Sequence, residues 1–101
     1  MIHAICFCLE RSVPLNEAEQ TLHLAMFAME GLVGRVRVRM ESQYLREEAL
    51  HAIAVNVSSR TGLLVARVFA GLLSREFGED AFFYKFIHVT PEQRELQMIV
   101  T

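Results

Sequence analysis

The chain contains no tryptophan, two prolines, two cysteines, one lysine and one aspartate. Each shortage removes a class of protein. Cys6 and Cys8 stand in a C-x-C spacing. In an extended strand, such residues share a face about 6.5 Å apart and are badly oriented for a mutual bridge. A disulfide scaffold is thereby excluded, and a reduced, cytoplasmic setting is expected. The paired C-x₂₋₄-C ligands of structural zinc are also missing, so no metal or other cofactor is expected. No uninterrupted apolar stretch reaches ~18 residues, so no membrane-spanning helix is expected. The first residues lack a basic segment and meet Glu10 and Arg11 soon after the apolar run, unlike a secretory signal. A net charge of −2 leaves no global field to draw the protein to nucleic acid or an anionic membrane.

What is present is largely apolar. Hydrophobic residues make up 52% of only 101. That length implies one domain, residues 1–101, with residues 1–90 as its core and 91–101 as a C-terminal turn and extra strand. Small domains expose much of their surface, so an apolar excess implies a second burial surface. The simplest one is another copy of the chain, as a homodimer or higher oligomer. Nine of the ten basic residues are arginine. Arginine tolerates partial burial and grips carboxylate or phosphate in a fork, which favours interfaces and anion contacts.

Hydrophobic periodicity divides the chain into six elements. Ile2 to Leu9 is apolar at nearly every position, as in a central strand covered on both faces. Asn16 followed by Glu17 and Glu19 predicts a capped helix start, with Asn16 and Glu19 as a capping box. The helix runs to about Val33 on a stripe of Ala18, Leu22, Ala25, Met26, Met29 and Val33. Leu24 and Phe27 lie off that stripe. Arg35 to Glu41 alternates strictly between charged residues and Val36, Val38 and Met40, which predicts an edge strand with one charged face. Residues 42 to 49 read as a polar connection. Leu50 to Val57 predicts a third strand, with Ile53, Val55 and Val57 on one face. Leu63 to Phe77 predicts a second helix, apolar almost all round and ended at Gly78. Ala81 to Val89 predicts a fourth strand. Thr90 and Pro91 then open a short helical turn, and Leu96 to Val100 alternates like a final strand.

The order β-α-β-β-α-β over residues 1–90 resembles the ferredoxin-like superfold, an α+β sandwich. The resemblance implies an antiparallel sheet of order 4-1-3-2 with two helices on one face. It is a likeness of fold and implies no activity. Strand parity then places Ile5, Phe7, Leu9, Val36, Val38, Ile53, Val55, Phe82, Tyr84 and Phe86 under the helices. The free face carries Phe83, Lys85 and Ile87 on one edge, then Ala4, Cys6 and Cys8, then Ala52, Ala54 and Asn56. Arg35, Arg37 and Arg39 line the other edge. Such a face suits self-association, a ligand groove or single-stranded nucleic acid. Nucleic-acid modules of this fold place aromatics on central strands, whereas Ala and Cys stand there, so nucleic acid is the weakest of the three.

Two groups of residues stand out for an anionic ligand. Ser58, Ser59, Arg60 and Thr61 precede the second helix, where free N–H groups and the helix dipole favour an anion. Serine and threonine at such a place are more usually just caps. Arg35, Arg37 and Arg39, joined by Arg46, form a basic stripe; charged edges also guard a sheet against unwanted pairing. His3 and His88 are expected to be antiparallel neighbours, either as paired ligands or as locally bonded strand ends. Cys6 and Cys8 read as small buried hydrophobes. The expectation is a small, self-associating binding or regulatory domain for an anionic ligand or a protein partner. No catalytic residue is nominated. An enzyme with a pocket at a subunit interface is the alternative, with Tyr84, His3, His88, Glu10 and Arg39 as its polar groups. Nucleic-acid binding through the arginine stripe is a second alternative.

Overall fold

Four antiparallel strands and three helices make up the described chain, residues 2–89 of a computed structural model. The elements are β1 (Ile2–Leu9), α1 (Leu15–Val33), α2 (Arg35–Glu41), β2 (Tyr44–Glu47), β3 (Ala52–Asn56), α3 (Arg60–Phe77) and β4 (Phe82–Val89). A single 3₁₀ turn, Glu79–Ala81, leads into β4. The fold class is α+β, and the strand order is β2-β3-β1-β4. The expected C-terminal turn and the strand Leu96 to Val100 lie outside the described residues.

The long apolar run becomes the inner strand β1, paired with β3 on one side and β4 on the other. Alternation sets the faces. Ile5, Phe7 and Leu9 from β1, with Ile53 and Val55 from β3, join Ala18, Leu22, Ala25 and Met29 of α1 and Val65, Phe69 and Leu73 of α3 in one core. Both long helices therefore pack on the same face. Phe7 sits at its centre and meets Phe69 edge-on at a centroid distance of 4.8 Å. The expected apolar stripe of α1 is the face that is buried, and Leu24 and Phe27 lie exposed on the outer side.

The capping box does not form. Pro14 precedes the first helical residue, Leu15, and no side chain caps that end. Asn16 and Glu19 instead reach across to β2. The Arg46 guanidinium donates to Asn16 Oδ1 at 2.6 Å and to Glu19 Oε1 at 2.9 Å. The Tyr44 hydroxyl donates to Glu19 Oε2 at 2.6 Å. A tertiary carboxylate–guanidinium–phenol cluster takes the groups that a local box would have used.

The main correction concerns Arg35 to Glu41. These residues form the two-turn helix α2, and the edge strand is Tyr44–Glu47, inside the segment read as a polar connection. Gly34, at φ 95°, breaks α1 and redirects the chain. Alternation over seven residues is compatible with a strand, yet Arg, Met and Glu are also good helix formers. The place beside β3 goes to Tyr44–Glu47, which pairs with it in register and is tied to α1 through Tyr44 and Arg46. On the helix only Val38 enters the core, while Val36 and Met40 remain exposed. The third strand is also shorter than expected, Ala52–Asn56, but keeps its parity. Among the described residues, no helix is long and apolar enough to cross a membrane.

Candidate functional site: an apolar groove between α3 and β4

The helices do not cover the sheet evenly. α1 lies against β2 through the Glu19, Tyr44 and Arg46 cluster, while α3 leaves a groove between itself and β4. The helix-side rings of β4 project beyond α3. Phe82 is half-buried against Phe7, with centroids 6.1 Å apart. Tyr84 and Phe86, expected in the core, point to the core side but stay 57% and 67% exposed. They pack edge to face at 6.5 Å, and Tyr84 touches the ring of Phe7 at 6.2 Å.

A groove of ≈ 350 Å³ runs between these rings and α3. Its floor is Ile5 and Phe7, one wall is Tyr84 and Phe86, and the other is Leu63, Ala66, Arg67 and Ala70. The α3 positions recur at i, i+3, i+4 and i+7, one helical face. Ala66 and Ala70 leave the hollow that larger side chains would fill. Two polar groups stand at this apolar site. Arg67 is exposed and has no ion pair among the described residues. Tyr84 supplies a phenol. Apolar walls with a few convergent polar groups are the usual form of a small-molecule site. A larger, shallower concavity of ≈ 690 Å³ lies at the α1–α2 elbow, between Val33 and Glu41. It is walled by that one bend of chain, so the α3–β4 groove is the better-defined site.

The residues singled out from sequence fall elsewhere. The Ser59 hydroxyl accepts the Gly62 N–H at 3.0 Å and donates to the Glu41 carbonyl at 3.1 Å. Ser58 Oγ accepts the His3 N–H at 3.0 Å. Thr61 is buried, Ser59 is half-buried, and Ser58 and Arg60 are exposed. The two serine hydroxyls of this turn are spent on capping α3 and tying it to β1 and α2. Arg35, Arg37 and Arg39 are exposed on α2, but a helix turns ~100° per residue, so they do not form one stripe. Arg37 faces Glu41 at 3.9 Å. Arg46 points to the helix side, held by Asn16, Glu19 and Glu48. The edge of the open face carries Leu45 and Glu47 in place of the expected arginines.

His3 and His88 are cross-strand partners, as expected, with ring centroids 4.7 Å apart. Glu10 follows the opposite end of β1 and Arg39 is on α2, so the polar groups of the interface-pocket alternative do not gather around Tyr84. Among the described residues, no group of three or more His, Cys, Asp or Glu side chains is placed to hold a metal.

Two further polar clusters have structural explanations. His23 Nε2 lies 2.8 Å from the Tyr44 hydroxyl. That hydroxyl gives its only proton to Glu19, so His23 is the donor. Burial, and then the Glu19 hydrogen bond, raise the Tyr44 phenol to about 12. The hydrogen bond from Tyr44, reinforced by Arg46, lowers the Glu19 carboxyl. A phenol so firmly protonated is a poor base or nucleophile, and the cluster acts as a clasp between α1 and β2. Cys6 and Cys8 are free thiols with Sγ atoms 3.9 Å apart. Burial above all, with the neighbouring Cys8, pushes Cys6 up to about 11.

In the sequence, Arg67 is the one charged residue between Leu63 and Leu73, a break in an otherwise apolar helix. The spacing of Leu63, Ala66 and Ala70 around it was the available signal: a face of small residues with one cation. Comparison with protein-family models, curated proteins and solved structures finds no match.

Proposed function

We propose that this domain binds a small ligand with an apolar body and an anionic head in the α3–β4 groove. The observation that carries this reading is the pairing of an apolar cleft with a phenol, Tyr84, and a guanidinium, Arg67, that has no ion pair among the described residues. Aromatic and aliphatic walls take the ligand body, with Phe86 and Leu63 as its outer contacts. Arg67 and Tyr84 supply donors for a carboxylate or similar anion, and a charge-assisted bond there fixes orientation. The reading is of binding rather than catalysis: among the described residues, no carboxylate or imidazole lines the groove beside Tyr84.

A nuclear magnetic resonance titration with 3-phenylpropanoate tests this. Shifts are expected to be saturable and confined to residues around Ala66, Arg67, Ala70, Tyr84 and Phe86. Arg67→Gln is expected to weaken binding about tenfold, as loss of a charge-assisted bond implies. Ala70→Leu fills the cleft and is expected to abolish it. Absent shifts at millimolar probe, or shifts scattered over the surface, would overturn the reading.

We also read the fold as a variant of the ferredoxin-like sandwich. Counted from its β4 edge, the sheet order is 4-1-3-2, and α2 is an insertion between α1 and β2. The two free thiols support a reducing, cytoplasmic setting.

A further inference from the structure

The two edges of the sheet differ. β2 is four residues long, includes Arg46 and Glu47, and is clasped to α1. Short, charged edges of this kind resist pairing with another chain. β4 is eight residues long and, among the described residues, pairs on one side only, with β1. Its single charged side chain is Lys85. Phe83 is 64% exposed on the open face, and Tyr84 and Phe86 are exposed on the helix face. A long apolar edge with one charge is a template for strand addition.

We propose that two copies of this chain pair antiparallel through β4, and that each copy lays Tyr84 and Phe86 beside the other's groove. Antiparallel pairing of identical edges requires a two-fold axis perpendicular to the sheet, so the two helix layers lie on the same side. The helix-face rings of the two β4 strands then meet in the space between the two α3 helices. A register centred on Lys85 would set two like charges opposite each other, which is unfavourable. Centring on Tyr84 or Phe86 avoids this and keeps the ring pairs.

The exposed rings supply up to about half of the area a stable interface takes. Rings of 150–250 Å², about three-fifths exposed, give roughly 300–400 Å² of apolar area per copy from Phe83, Tyr84 and Phe86. A stable interface takes about 800 Å² per partner, and the exposed backbone and remaining side chains of an eight-residue strand contribute toward the rest. The other apolar surface, Leu24, Phe27, Leu32, Val36 and Met40 on α1 and α2, is less suited to a second copy. Arg35, Arg37 and Arg39 stand beside it, exposed, and self-contact there gathers like charges. The pairing does not rest on the ligand reading and is measured without ligand; only its consequence for the groove does.

Sedimentation equilibrium of the full chain at micromolar concentration is expected to give twice 11.5 kDa. Phe86→Lys is expected to weaken association about 30-fold, as at an interface hot spot, while Phe27→Lys leaves it unchanged. Hydrogen exchange adds a second readout: protection of outward-facing β4 amides should fall on dilution. If Phe86→Lys loses its circular dichroism, Phe83→Glu reports on the same edge. A monomer with concentration-independent β4 protection would mean that residues 90–101 of the same chain cover the edge. A monomer with unprotected β4 would leave the edge free. A dimer lost in Phe27→Lys but kept in Phe86→Lys would place the interface on the helices. Each of these three results overturns the proposal.

Discussion

Gly62 is a residue whose side chain cannot be larger. At the first turn of α3, a Cβ built there overlaps the Asn56 carbonyl oxygen and comes within 3.1 Å of the Glu41 carbonyl. Three segments meet at this point: the end of β3, the end of α2 and the start of α3. Neither obstacle is a flexible side chain, so backbone must move. Gly62→Ala is expected to cost ~1–3 kcal/mol by overpacking, read from urea unfolding. Cys6 supports a second expectation. Its thiol is buried and raised to about 11, and only the thiolate attacks an alkylating reagent. Iodoacetamide at neutral pH is expected to modify Cys6 far more slowly in the folded protein than in urea, as resolved by peptide mass spectrometry.

At the scale of elements, α2 and the α1–β2 clasp are the two features that the sequence pattern hid. Val38 is 1% exposed, while Val36 and Met40 exceed 70%. Val38→Ala is therefore expected to cost ~2 kcal/mol, and Val36→Ala or Met40→Ala less than about 0.5 kcal/mol. A strand would bury all three alike, so the series separates the two structures. The clasp makes stability depend on pH at both ends. The Glu19 carboxyl is lowered by Tyr44 and Arg46, so its contribution is full above the ordinary carboxylate value of 4.5 and is lost as pH falls through the folded value. The Tyr44 phenol is raised from 10.0 to about 12, so its contribution is full below pH 10 and is lost as pH rises toward 12. Glu19→Gln is expected to flatten the acid limb of a stability–pH curve. Tyr44→Phe is expected to flatten the alkaline limb and to cost ~1 kcal/mol at neutral pH through its lost hydrogen bonds.

At the scale of the whole molecule, ten large apolar side chains stay exposed among the described residues. Phe83, Tyr84 and Phe86 cluster on β4, and Leu24, Phe27, Leu32, Val36 and Met40 on the helices. Association that binds only the folded state raises apparent stability by mass action. The thermal midpoint is therefore expected to climb with protein concentration, and to stop doing so in Phe86→Lys. A midpoint independent of concentration in the unmodified chain would contradict this.

Much of the architecture was legible because alternation is local. The parity of Ile5, Phe7, Ile53 and Val55 and the buried stripe of α1 follow from the spacing of side chains along one element, and the pairing of His3 with His88 from their places at the start of one strand and the end of its expected antiparallel neighbour. The groove was not legible. Tyr84 and Phe86 have the parity of core residues, and parity gives a side of the sheet without saying whether a helix covers it. Arg35–Glu41 failed for a related reason. Seven alternating residues satisfy a strand, but the place beside β3 was won by Tyr44–Glu47 through long-range bonds to Asn16 and Glu19. The sequence by itself determined which faces are apolar, because side-chain direction repeats every two or 3.6 residues. The tertiary structure decided which of those faces are covered, because coverage depends on where α1 and α3 come to rest on the sheet.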